Sequence, residues 1–257
     1  MDKYLKDKIV FVTGASSGIG AACARAFAAA GSRLILCARR IDRLEELARN
    51  LNVPYHLAEL DVRDQPAVVE MLQSLPEEWR AIDILVNNAG LARGLAGVHE
   101  GDLQDWEEMI DTNIKGLLYV TREVVAGMIG RNSGHVINIG SIAGHEVYPG
   151  GNVYCASKHA VDAITKGLRM DLIGTPIRVS TVDPGLVETE FSMVRFHGDA
   201  GRAARVYEGI KPLTGDDIAD AVIYCANRPP HVQIAEMIIF PTAQRSSTMV
   251  GRGGKDQ

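Results

Sequence analysis

The sequence has few aromatic side chains, 5% of its 257 residues. A large apolar ligand such as a steroid wants an aromatic-lined pocket, so that ligand class is disfavoured. Cysteine is scarce as well, and Cys23, Cys37, Cys155 and Cys225 form no C-x-x-C pair. That spacing gives no disulfide framework and reads as small buried hydrophobes in a reducing compartment. Cys155 adjoins Tyr154, but no nearby motif would lower a thiol pKa there, and it is read as a bystander. The seven histidines lack H-x-x-x-H spacing, and no metal site is expected. No apolar run approaches the ~18–20 residues that span a bilayer. The charged start, Met1 to Lys8, is unlike a secretory signal, so the expected location is the cytoplasm with no membrane partner. Nor is there an excess of positive charge: the formal net charge is −5, a poor basis for gripping a phosphate backbone, and no nucleic-acid partner is expected.

What the chain does have is alternation. Short β-branched runs at Lys8–Thr13, Arg33–Ala38, Tyr55–Leu60, Ile82–Asn87, His135–Ile139, Ile177–Val182 and Glu236–Phe240 read as strands. Helix-period stretches separate most of them: Ser17–Ala30, Ile41–Asn50, Gln65–Ser74, Trp106–Ile129, Tyr154–Ile173 and Asp216–Ala226. Strands joined by helices of this length imply βαβ units and a parallel sheet, and nearly continuous apolar runs fit strands buried on both faces. The expected fold is α/β: a single-domain, Rossmann-type, doubly wound parallel sheet over residues 1–257. Within it, 189–210 forms a substrate-side segment, and 246–257 is a polar, Gly-rich tail, either frayed or docked on a partner subunit.

The first strand runs into Gly14-Ala15-Ser16-Ser17-Gly18-Ile19-Gly20 and then a helix. Glycines let the backbone turn and approach a pyrophosphate, and a helix N-terminus offers free N–H groups to it. The spacing is G-x-x-x-G-x-G, and no G-K-[ST] follows, so this is not a P-loop. At the end of the second strand stand Arg39 and Arg40, where an acid would accept the ribose hydroxyl of NAD. Two guanidiniums at a helix start suit the 2′-phosphate of NADP, with the Ser16 hydroxyl as a further donor. Asp61-Val62 and Asn88-Ala89-Gly90 end the third and fourth strands, the edge at which open α/β sheets bind ligands. Asp61 either accepts from the adenine amino group, caps the helix that follows, or does both.

Tyr154 and Lys158 stand i, i+4 near the start of a long helix and so share a face. A neighbouring ammonium favours the phenolate and would bring a phenol pKa, ordinarily near ~10, toward the working range of a proton shuttle. Ser141 follows the fifth strand and can donate to the same substrate oxygen. Asn113 is a polar amide in a helical stretch and needs a partner.

Gly14-x-x-x-Gly18-x-Gly20, Asn87-Asn88-Ala89-Gly90, Asn113, Ser141, Tyr154-x-x-x-Lys158 and Pro184-Gly185 occur in order, and with them the chain resembles the short-chain dehydrogenase/reductase family from about residue 7 to about residue 240. The resemblance implies an NADP(H) oxidoreductase with Tyr154 as general acid/base, Lys158 on the nicotinamide ribose, and Ser141 orienting the substrate oxygen. It further implies that Asn113 holds a relay water, that Pro184, Gly185, Val187 and Thr189 line the nicotinamide, and that the chain assembles as a tetramer or dimer; a homotetramer is expected. Within the family, Ile82 to Ala92 and Pro184 to Ser192 with Val194-Arg195-Phe196 resemble the NADP-dependent 3-hydroxy acid dehydrogenases. A carboxylate substrate needs a cation or several donors near the reacting carbon. Arg195 leads the candidates, followed by Arg93, Arg202 and His145. Tyr148 lacks a Lys four residues on and is assigned to the substrate pocket or to packing. The same chemistry on a 3-oxoacyl thioester, sugar or diketone, and a non-catalytic NADP(H) sensor, are the alternative readings.

Overall fold

The computed structural model describes residues 4–253. Seven parallel strands form one sheet in the order β3-β2-β1-β4-β5-β6-β7. They are β1 (Ile9–Thr13), β2 (Arg33–Ala38), β3 (Tyr55–Glu59), β4 (Ile84–Asn87), β5 (His135–Ile139), β6 (Arg178–Pro184) and β7 (Glu236–Ile239). Every residue of β1, β4 and β5 is buried, as a sheet covered on both faces requires. Side chains alternate between two cores. Val10, Val12, Leu34, Leu36, Ile84 and Val86 belong to one, whereas Ile9, Phe11, Ile35, Cys37 and Leu85 belong to the other.

The first core lies under α1 (Gly18–Ala29), α2 (Ile41–Ala48) and α9 (Gly215–Ala226); the second lies under α3 (Gln65–Ser74) and α5 (Leu117–Arg131). Helix α4 (Leu103–Ile110) starts at Asp102, whose carboxylate accepts from Gln104 N and Asp105 N. Helix α6 (Asn152–Asp171) carries the Tyr154–Lys158 pair. Gly31, at φ +78°, ends the α1 turn in a conformation that costs a side chain dearly.

Two features depart from the sequence reading. The single helical stretch expected at Trp106–Ile129 is two helices joined by a π-helical turn, Asp111–Gly116. The long connection after β6, where the sequence reading placed no helix, contains the short helices α7 (Phe191–Arg195) and α8 (Ala200–Arg205). The described part of the tail is not frayed: Ser247 N donates to Glu146 (2.6 Å), and Arg252 donates to the carbonyls of Glu208 (2.6 Å) and Val206 (3.0 Å). Residues 254–257 lie outside the described residues.

The strand order reverses between β1 and β4. In such sheets ligands bind at that switch point, beyond the carboxyl ends of the strands.

Candidate active site

A cleft of about 570 Å³ opens at that edge. Its floor begins with the turn after β1. Gly14 (φ +65°) and Gly18 (φ +52°) adopt left-handed backbone, and a Cβ on Gly14 would come within 2.9 Å of Ala89 Cα. Gly20 does not line the cleft; a Cβ there would collide with Gly14 O and Asn88 Nδ2, so its lack of a side chain serves helix packing. Asn88 fastens the turn to β4, donating to Thr13 O (2.9 Å) and Gly14 O (3.1 Å). Ser17 is the N-cap of α1 but makes no side-chain capping bond, so the first-turn N–H groups remain available to an anion at the cleft.

Arg39 and Arg40 close the end of the cleft beside Ser16 and Ser17. Arg40 donates to Ser17 Oγ (3.0 Å), Ser16 Oγ (3.3 Å) and Glu190 Oε2 (3.1 Å). Glu190 also pairs with Arg43, and despite burial these two arginines hold its carboxyl below the usual range. Arg39 makes no ion pair among the described residues. A bare-backbone turn, an open helix N-terminus and a corner of two guanidiniums with two hydroxyls fit a nucleotide with an extra phosphate. Asp61 and Val62 line the next stretch. Asp61 forms a forked pair with Arg63 (2.6–3.0 Å), which outweighs burial and lowers its pKa. It does not cap α3; that cap is Asp64, which accepts from Ala67 N.

Ala89, Gly90, Ser141, Tyr154, Lys158, Pro184, Gly185, Val187 and Thr189 all reach the other half of the cleft. Ser141 accepts from Ala143 N (3.1 Å) and donates to Pro184 O (3.5 Å), and it stands close enough to the Tyr154 phenol to draw its pKa down. Burial and nearby Tyr148 push Tyr154 well above the ordinary phenol range, with Ser141 and Arg195 pulling it partly back. The expected lowering by Lys158 is therefore overridden: desolvation dominates a phenol 8% exposed. Lys158 itself is brought down to about 8 by burial, opposed by the Asp183 charge. Its Nζ donates to Ile139 O (2.9 Å).

Asn113 stands behind the cleft rather than in its lining. Its Oδ1 accepts from Leu91 N (2.9 Å), and its Nδ2 donates to Leu91 O (2.8 Å) and Ser157 Oγ (2.9 Å). Both ends of the amide thus bond to protein, and the side chain clamps the exit of β4 to α6.

The carboxylate-anchor candidates separate cleanly. Arg93 is committed to Glu108 (2.6 Å) and Val194 O (2.7 Å). Arg202 sits over the Phe196 ring and does not line the cleft. His145 is turned from the cleft toward Asp183 (3.3 Å) and Glu236 (3.5 Å), because two carboxylates draw its ring beneath the sheet edge; it is not a substrate contact. Arg195 does reach the cleft, 5.3 Å from the Tyr148 ring and 5.6 Å from the Tyr154 ring. Its Nε donates to Gly94 O (3.0 Å) and its Nη1 to Tyr148 Oη (3.0 Å), while Nη2 is buried with no partner. Tyr148 lines the cleft beside it, its phenol raised mainly by burial. All four cysteines are free and buried.

Sequence reasoning missed Glu190, Phe191 and Tyr207, which also line the cleft. The unusual length of the connection after β6 was the available signal.

Residues 8–200 match the short chain dehydrogenase family. The NADP-dependent 3-hydroxy acid dehydrogenase YdfG of Escherichia coli K12 is 50% identical over 237 residues, covering 92% of this chain and 96% of that protein. The NADP-dependent 3-hydroxy acid dehydrogenase of Schizosaccharomyces pombe is 44% identical over 253 residues, covering 96% and 98%. Among solved structures, the closed form of serine dehydrogenase complexed with NADP+ superposes with a TM-score of 0.91 at 48% identity, over 97% of this chain and 100% of that one. A family match over most of the chain, relatives this similar along nearly all of it, and a cleft built of glycine turn, Ser141, Tyr154 and Lys158 make the chain a member of the short-chain dehydrogenase family.

Proposed function

We propose that this chain is an NADP(H)-dependent oxidoreductase that interconverts a small 3-hydroxy acid and its carbonyl counterpart. The cofactor supplies or accepts the hydride when bound. Gly14, Ser16, Ser17, Gly18, Ile19, Arg39 and Arg40 would hold its phosphates, with Gly20 shaping the turn. Asp61, Val62, Asn88, Ala89 and Gly90 would carry its middle, and Pro184, Gly185, Val187 and Thr189 its nicotinamide end. The dependence of the close relatives on NADP supports the same choice here, as does the Arg39–Arg40 corner.

Tyr154 passes a proton to or from the substrate oxygen, and Ser141 donates to that oxygen and holds it against the phenol. Burial keeps Tyr154 protonated in the free enzyme, so it begins as an acid in the reductive direction. Lys158, positively charged below a pH of about 8, offsets the phenolate formed as the proton leaves. Asn113 positions Leu91 and the exit of β4.

The observation that carries the substrate class is the orphaned Nη2 of Arg195. A buried guanidinium nitrogen without a partner is costly, and a substrate carboxylate there would satisfy it. The guanidinium lies beside Tyr154, 5.6 Å from its ring, within the reach of a small hydroxy acid whose oxygen meets the phenol. Arg195→Ala is expected to raise KM for 3-hydroxy acids at least tenfold while changing that for neutral secondary alcohols less than threefold, consistent with loss of one charge-assisted bond of about 1.5–3 kcal/mol. Equal effects on both classes would exclude Arg195 as the anchor.

No helix among the described residues is long and apolar enough to cross a membrane. We further propose a cytoplasmic homotetramer, supported by apolar side chains left exposed at the helix ends: Ile129 (52%), Met170 (73%) and Ile173 (87%).

A further inference from the structure

Arg93 takes no part in the proposed reaction, yet its hydrogen bonds run to the segment that carries the substrate anchor. It stands in the loop after β4. Its Nε donates to Glu108 Oε2 on α4 (2.6 Å), and its Nη1 donates to Val194 O (2.7 Å). Val194 immediately precedes Arg195 at the end of α7. The next loop residue repeats the contact. Gly94 N donates to Arg195 O (2.9 Å), and Arg195 Nε donates back to Gly94 O (3.0 Å).

Helix α7 has five residues, too few to hold their shape unaided in water. The last carbonyls of a helix lack partners within it and find them elsewhere. Here Val194 O accepts from Arg93 and from His197 N (3.3 Å), and Arg195 O accepts from Gly94. Gly94 takes left-handed backbone (φ +63°), and a Cβ there would come within 3.1 Å of Asp105 Oδ2. Asp105, on α4, also hydrogen-bonds His197 just beyond α7 (3.1 Å). The end of α7 is thus held from outside, by the loop after β4 and by α4.

The two arginines divide the work. Arg93 is neutralised by Glu108 and does not line the cleft. Arg195 does line it, forms no ion pair among the described residues, and keeps Nη2 buried without a partner. One guanidinium is spent on holding backbone, and the other keeps its charge for a ligand. The Arg93 and Glu108 side chains are 19% and 23% exposed, and a pair with this access to water adds little to stability. Its consequence lies in where it puts Val194. A planar fork with separate donors for a carboxylate and a carbonyl fixes that position better than a single ammonium could.

We propose that Arg93 is a positioning residue for acid selection: tethered to Glu108, it fixes the end of α7 and through it the reach of the Arg195 guanidinium toward a substrate carboxylate. The inference rests on the reading of Arg195 as the anchor. It makes the preference for hydroxy acids depend on an ion pair outside the cleft. Ser141 and Tyr154 hold the reacting oxygen from other elements, so a shifted α7 loosens the grip on the carboxylate and leaves proton transfer as it was.

The test is KM and kcat for 3-hydroxybutyrate and for a neutral secondary alcohol at saturating NADP+, in wild type, Arg93→Met, Arg195→Ala and the double variant. Arg93→Met is expected to raise KM for the acid about fivefold, while KM for the alcohol and both kcat values stay within about 1.5-fold. In the Arg195→Ala background it is expected to add nothing to the acid KM, the signature of two residues acting through one contact. Equal effects on acid and alcohol, no effect on either, or full additivity with Arg195→Ala would overturn the proposal. If Arg195→Ala is acid-selective and Arg93→Met is not, the anchor stands and the brace alone falls; if Arg195→Ala affects both substrates alike, both fall. Glu108→Gln weakens the same tether from α4 and is expected to give a smaller, acid-only rise in KM of about threefold. It keeps the test decisive if Arg93→Met fails to fold, as judged by circular dichroism, and an unchanged acid KM in it would count against the brace.

Discussion

Lys158 shows how far the site spends stability on reactivity. Its ammonium is buried, has one carbonyl as hydrogen-bond partner, and titrates at about 8 instead of 10.5. A cation whose folded pKa is depressed disfavours folding while it is charged in both states. That penalty is fully present below pH 8 and is relieved as pH rises from about 8 to 10.5. Its size is about 3 kcal/mol. Lys158→Met is therefore expected to lose turnover yet, without cofactor, to unfold at a higher urea midpoint than wild type at pH 7, with the advantage shrinking above pH 8. Denaturant titrations across that pH range check it; a destabilised variant at pH 7 would mean that the ammonium is better solvated than its burial indicates. At this scale much was legible from sequence. Tyr154 and Lys158 are four residues apart on one helix, and such spacing dictates a shared face before any tertiary contact forms. Arg195 meeting Tyr148 Oη across 47 positions, and His145 choosing Asp183 over the cleft, were not legible, because each depends on where other elements set the partner.

Among the elements, the π-helical turn at Asp111–Gly116 does most to set the site. It interrupts what would be one helix and delivers Asn113 to the exit of β4, where the amide closes a ring of bonds with Leu91 and reaches Ser157 on α6. Asn113→Leu would leave the buried Leu91 N–H and C=O unpaired. Each such group costs about 1–3 kcal/mol, so a loss of about 2–6 kcal/mol in urea-derived stability is expected, with a fall in kcat larger than any change in the Kd for NADPH. Unchanged stability would show that water replaces the clamp. Strands, long helices and the glycine turn could be read from periodicity because local pattern alone fixes them. The π turn could not, because no local pattern marks it; where it ends, Gly116 packs so closely on Val62 that a Cβ would collide there. Helices α7 and α8, of five and six residues, are too short to carry a period.

For the whole molecule, the sheet order puts every proposed contact on one edge, at the crevice between β1 and β4. Strand order was legible only as a class, through alternation of strands and helices. The same topology leaves Met170 and Ile173 in solvent at the end of α6. Light scattering is expected to give a tetramer for the wild type and a smaller species for Met170→Glu combined with Ile173→Glu, since buried charges oppose association. A wild-type monomer would remove the assembly from the proposal.

The central claim is hydride exchange with NADP(H) at a site that selects small 3-hydroxy acids. Absorbance at the reduced-nicotinamide band, with NADP+ and a panel of serine, 3-hydroxypropionate, 3-hydroxybutyrate and neutral secondary alcohols, tests it most directly. Turnover concentrated on the hydroxy acids is the expected result, whereas turnover confined to neutral alcohols, or none across the panel from protein that binds NADPH, would contradict it.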